Sequence, residues 1–240
     1  MRGAAPSPSY PAPGINIDYF LGEKVDDIEL EIVDITGKTI RSFNNQKQQA
    51  QVTVRDMATN VFSSTFSSAL KKSKGLHRFR WDLKHNGAWD KNKDRSQRNG
   101  PYVAPGLYKV KLKVNGKTQE QKFRVLRDPK VSEDMVSEQD LKAQESFCLE
   151  IIDLMSEAKR QASKLEKLRE KMEGDKTEIQ KALDYLLRSK GRYTQPKFIS
   201  QLGYLYGIVS RADQVPGDDA YRRFEQLKKE YESFMKLYKL

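Results

Sequence analysis

Apolar and polar residues alternate along the first half of this chain and recur at three-four spacing along the second. In DIELEIVDI, Ile28, Leu30 and Ile32 fall on one side, with Glu29 and Glu31 on the other. That period of two marks a half-buried strand. Thr36-Gly37 supplies a turn, and KTIRSF returns as the next strand. LHRFRWDL places His77, Phe79, Trp81 and Leu83 on one face and Arg78 and Arg80 on the other. LYKVKLKV sets Tyr108, Val110, Leu112 and Val114 against Lys109, Lys111 and Lys113. Asn115-Gly116 tolerates the left-handed backbone of a type I′ turn, so KTQEQKFRV should pair back antiparallel. INIDYF brings the total to six strands, or seven with AQVTV. Short alternating strands hide their apolar faces by packing two sheets, which predicts an immunoglobulin-like sandwich over residues 14–130. The polar, Ser-rich stretch 44–75 reads as a long connection or insertion holding at most one edge strand. Residues 1–13, rich in Pro, Ala and Ser, read as a flexible lead-in.

Asp128-Pro129 closes the last strand, because proline disfavours a helix running through it. Ser137 and Asp140 form an N-cap signal. Beyond it, Leu141, Phe147, Cys148, Ile151, Ile152, Met155, Ala158, Ala162, Leu165, Leu168 and Met172 hold helical spacing for about nine turns. A second stripe (Ile179, Leu183, Leu186, Leu187) and a third (Phe198, Leu202, Leu205, Val209) follow. After Pro216-Gly217 a fourth reads Tyr221, Phe224, Leu227, Tyr231, Phe234 and Tyr238. Four amphipathic segments with short connections predict an antiparallel helical bundle over 131–240. The expected class is therefore α+β and multi-domain, an all-β unit followed by an all-α one.

Charge supports that division. The chain carries a net +11 over 240 residues. Residues 131–240 hold 20 basic and 20 acidic side chains, whereas residues 1–130 hold 24 basic and 13 acidic. Such asymmetry fits two units with different surfaces. No apolar run approaches the ~20 residues of a membrane span, and the N-terminus lacks the apolar core of a signal peptide. One cysteine, Cys148, excludes an internal disulfide.

Residues suited to chemistry are few. His77 lies on the apolar parity of its strand, His85 just past the strand end and Cys148 on an apolar helix face, with no metal-ligand spacing among them. Neither a phosphate-cradling glycine loop nor a nucleophile elbow occurs. Asp82, Asp90 and Asp94 could be imagined as a carboxylate acid and base, but a strand end and a polar loop specify no pairing. The reading is non-enzymatic, with no cofactor and no metal. The suggestive set is basic: Arg78, Arg80, Lys109, Lys111, Lys113, Lys122 and Arg124 share outward parity. On neighbouring strands they would form one positive face for a polyanion, an anionic glycan or an acidic protein. The plainer reading is ordinary solubilisation and edge protection. No aromatics interleave with these cations, so base stacking and specific nucleic-acid recognition are not expected. Trp89 and Tyr102, in loops, are the natural residues for stacking on a glycan.

Several stretches together carry a resemblance: PAPGINIDYFLGEKVDDIELEIVDITGKTIRSF, GLHRFRWDLKHNG, GPYVAPGLYKVKLKVNGKTQEQKFRVLRDPKV and then DLKAQ. Over about residues 11–145 the chain resembles the C-terminal region of bacterial sortilin-type β-propeller proteins with BNR/Asp-box repeats. Its sandwich is also similar to the immunoglobulin-like domains of flagellar hook-capping proteins. The resemblance implies export to the periplasm, cell surface or medium. It implies an accessory role beside an upstream propeller or another envelope protein. The propeller repeats that carry the family's hydrolase label are not in this sequence, so that label does not transfer. Trp81 and the Pro105-Gly106-Leu107-Tyr108 turn explain architecture and not catalysis.

Overall fold

The computed structural model describes residues 14–44, 51–55, 63–67, 69–96, 98–187 and 195–238. The expected lead-in 1–13 lies outside these residues, as does much of the 44–75 stretch. Antiparallel sheets and several helices, one of them long, make this a mixed α and β chain. It divides into two compact units, one formed by the chain up to Lys84 with Leu107–Phe123, the other by His85–Gly106 with the chain from Arg124 onward.

In the strand unit, β1 (Ile15–Leu21) pairs with β6 (Gly75–Trp81). A four-stranded sheet runs in the order β3-β2-β7-β8, built from β2 (Ile28–Asp34), β3 (Thr39–Asn44), β7 (Gly106–Val114) and β8 (Lys117–Val125). A third, two-stranded sheet joins β4 (Gln51–Arg55) to β5 (Ser63–Ser67), a strand that the polar composition of that stretch does not announce. The alternation located the interior in β2 and β6, whereas in β7 only Tyr108 is buried and Val110, Leu112 and Val114 are half-buried like Lys109 and Lys111. Ile28, Leu30 and Ile32 have no exposed surface, and His77, Phe79 and Trp81 are buried. Rings from different sheets meet, Phe43 on Phe79 at 4.6 Å and Trp81 edge-on to Phe123 at 6.2 Å. Aromatic contacts of this kind add to the burial that closes such a core. Leu83 departs from the expected parity. β6 ends at Trp81, and Leu83 takes a left-handed φ of 61° and is half-buried. Asn115 and Gly116 adopt φ of 46° and 80°, the signs a type I′ turn requires.

Two polar anchors in this unit escape periodicity. Tyr19 hydroxyl donates to the Lys71 carbonyl (2.9 Å) and accepts from the Lys71 N–H (2.8 Å), fixing the chain that leads into β6. Arg41 Nη1 donates to Asp82 Oδ1 at 2.9 Å, with side chains only 6% and 18% exposed.

In the helical unit, α1 (Lys93–Ser96) and α2 (Pro129–Glu133) are single turns that precede the main helices. The long helix α3 (Glu138–Lys171) starts at a capping box formed by Ser137 and Asp140. It packs on α4 (Thr177–Leu186) and α5 (Phe198–Val209), and α5 packs on α6 (Asp218–Tyr238). One apolar core runs through all four, from Phe147 and Ile151 to Leu202, Leu227 and Phe234. The buried amide of Gln144 donates to the Val209 and Ala212 carbonyls at 2.7 and 2.6 Å. It thereby satisfies the Val209 carbonyl, which the end of α5 leaves without a helical partner, and ties down the turn beyond it at Ala212.

Candidate interaction surfaces

The cations of the basic set stand on two sheets. Arg78 and Arg80 are on β6, paired with β1, while Lys109, Lys111 and Lys113 are on β7 and Lys122 and Arg124 on β8. β6 and β7 are not neighbours, so the seven residues do not lie along adjacent strands. Acidic residues also interleave. Arg78 makes a two-pronged pair with Asp18, both contacts at 2.7 Å, which holds the Asp18 carboxyl below its ordinary range. Lys111 stands opposite Glu31 and Lys113 opposite Glu29 in the β2–β7 register. Glu120 lies 3.2 Å from Lys111 Nζ and 4.0 Å from Lys109 Nζ, and Arg124 lies 4.0 Å from Glu138. Arg80 is half-buried, whereas Lys113 and Lys122 are exposed. Carboxylates interleaved at this spacing make the surface mixed and not uniformly positive.

The outer face of the β1–β6 pair carries a feature that charge patterning passes over. Phe20 and Leu76 are cross-strand partners and are 68% and 74% exposed. Directly opposed residues on antiparallel strands sit ~5 Å apart, so the two form one apolar spot beside the Asp18–Arg78 pair. Both are visible in the sequence as apolar residues at polar parity.

The loop residues belong to the helical unit. Trp89 N–H donates to Ser156 Oγ at 2.9 Å, and the Arg160 guanidinium lies 5.8 Å from its ring centre. One approach to the indole is therefore already taken by a cation–π contact. Tyr102 is 48% exposed. A groove of about 610 Å³ lies at the α4 and α6 ends, lined by Tyr185, Lys229, Glu230, Ser233, Phe234, Leu237 and Tyr238. Its floor continues a run of nearly parallel rings, Phe198 on Tyr185 at 5.6 Å and Tyr185 on Phe234 at 4.8 Å.

The titratable candidates are tied into the scaffold. His77 Nε2 lies 2.6 Å from the Ser73 carbonyl, and its ring packs 5.3 Å from Tyr19. His85 Nε2 lies 2.6 Å from Glu145 Oε1, and Glu145 Oε2 accepts the Ala104 N–H at 3.1 Å. Burial, then the Glu145 charge, pushes the Cys148 thiol up to about 12, so it stays protonated where a nucleophile needs thiolate. Asp82 holds Arg41, Asp90 lies 3.5 Å from Lys159, and the Asp94 side chain lies outside the described residues. Among the described residues no cluster of three or more His, Cys, Asp or Glu could hold a metal ion. None of their helices is long and apolar enough to cross a membrane. No protein-family model, no curated protein and no solved structure matches the chain.

Proposed function

We propose that this chain is a non-catalytic accessory module, an immunoglobulin-like sandwich joined to a helical bundle. It would work outside the cytoplasm by packing against a β-propeller or another envelope protein. The observation that carries this reading is the exposed Phe20–Leu76 pair on a sheet face, where water-facing positions are ordinarily polar. Two further observations support it. The strand order and the rings meeting between sheets fit a sandwich, and the histidines and the cysteine serve the scaffold.

The test is co-elution of the chain with a propeller-bearing polypeptide from the same genome, compared with the Phe20→Asp/Leu76→Asp double variant. Burying a Phe or a Leu contributes ~1.5–3 kcal/mol, and ~1.4 kcal/mol is tenfold in affinity. The double variant should therefore bind at least about a hundredfold more weakly. Unchanged binding by the double variant, or none by the parent, would refute the reading.

A glycan or polyanion ligand draws less support, because the basic residues alternate with carboxylates and Arg160 already occupies one approach to Trp89. The exposed Tyr102 is the residue on which a glycan version would rest. Binding of a soluble polysaccharide that is lost in Tyr102→Ala would favour that version.

A further inference from the structure

Residues 85–106 leave the strand unit after β6 and return to it at β7, yet they belong to the helical unit. We propose that this excursion is a two-part strap. Its inner limb is a fixed part of the helical core, and its tip, from Ala88 to Ser96, lifts off α3 as a separate body. The proposal is independent of which partner the module serves.

Burial separates the two parts. In the inner limb Gly100, Pro101, Val103, Ala104 and Pro105 are all buried. That limb is pinned by the His85–Glu145 contact, by Ala104 N–H on Glu145, and by His85 N–H on the Pro101 carbonyl at 2.9 Å. Tyr206 hydroxyl donates to the Asn99 carbonyl at 2.7 Å beside it. By contrast, no described side chain from Ala88 to Ser96 is buried. The tip is held by the half-buried Ala88 against the helical core and, on α3, by the Trp89 N–H on Ser156, the Arg160 guanidinium over the indole, and two ion pairs, Asp90–Lys159 and Lys91–Glu166. Segments with few buried apolar contacts and exposed polar ones open at the low end of the local stability range.

The tip also keeps its own shape. Asp90 N–H donates to Ser96 Oγ (2.8 Å), Ser96 Oγ donates to the Asp90 carbonyl (3.2 Å), and Asn92 N–H donates to Asp90 Oδ1 (3.0 Å). Gly87 N–H closes the neck on the Ser96 carbonyl at 2.8 Å. The two limbs run so close there that a Cβ on Gly87 would collide with the Arg98 carbonyl, and one on Gly100 with the His85 carbonyl. These bonds survive when the α3 contacts break, so the tip moves as a unit and uncovers Ser156, Lys159, Arg160 and Glu166 together.

Hydrogen exchange on the full chain, followed by mass spectrometry at 0.05 M and 0.5 M NaCl, tests this. Exposed ion pairs weaken with salt. The Trp89 amide, which α3 holds through Ser156, should exchange roughly three- to tenfold faster at high salt, with the Ala104 amide and those of α3 unchanged. Ser156→Ala and, separately, Glu166→Gln should speed the tip at low salt and leave the inner limb alone. The proposal is overturned if tip and inner limb exchange at one rate, if the tip ignores salt, or if it is unprotected already at low salt.

Discussion

Replacing Asp82 by alanine removes the carboxylate facing a guanidinium that the fold has almost completely withdrawn from water. Arg41 is 6% exposed and Asp82 18%, at 2.9 Å. Breaking one partner out of a buried pair costs about 3–5 kcal/mol, because the surviving charge keeps its desolvation penalty. The lower end applies here. Asp82 retains some solvent, and the Phe43 ring lies 5.0 Å from the guanidinium carbon. Asp82 Oδ1 also accepts the Lys84 N–H at 3.2 Å, which adds about 1 kcal/mol to the loss. The expectation is therefore about 3–4 kcal/mol for Asp82→Ala. With a urea slope of roughly 2 kcal/mol per molar, the midpoint falls by about 1.5–2 M. A Trp89→Phe background leaves Trp81, fully buried in the strand unit, as the only tryptophan, so its emission follows that unit alone. Arg41→Met combined with Asp82→Ala should recover most of the loss, since an apolar replacement of a buried pair is often neutral. The reasoning is refuted if Asp82→Ala costs under about 1 kcal/mol, or if the double variant loses the sum of the single losses without coupling.

Tyr19→Phe deletes a hydroxyl that both donates to and accepts from the Lys71 backbone. It should cost about 1–3 kcal/mol in urea unfolding of the same background and speed exchange of the Lys71 amide. For Cys148 the native pKa is raised from 9.0 to about 12, so between those values the folded state holds a proton that the unfolded state has lost. Stability from this group is complete below pH 9 and declines as pH rises toward 12. A Cys148→Ala variant should show a flatter stability profile over that range. At pH 8 a thiol reagent should label the parent only as fast as it unfolds, and rapid native labelling would contradict the burial.

Periodicity made the strands and helices legible because burial itself is periodic. Ile28, Leu30 and Ile32 in β2 and Ile151, Met155 and Ala158 in α3 are buried where their spacing placed them. β5 was not legible, since SSTFS has too little apolar content for alternation to register. The contacts of residues 85–106 were hidden for a related reason. Trp89, Asp90 and Lys91 reach their α3 partners through single polar bonds, and a polar loop has no period from which to infer a neighbour. The basic set shows the limit of parity. Outward direction was readable strand by strand, whereas the assignment of β6 and β7 to different sheets depends on pairings sixty residues apart, such as Asp18 with Arg78.

The path of the chain bears on how this protein is made and recombined. The polypeptide changes unit after Lys84, again after Gly106 and a third time after Phe123, so neither unit corresponds to one continuous stretch of gene. A single crossover cannot transplant either of them; three joints must be matched at once. During synthesis, at about 5–20 residues per second, the strand unit waits for β7 and β8 to emerge, and residues 85–106 wait longer still for the helices that will receive them.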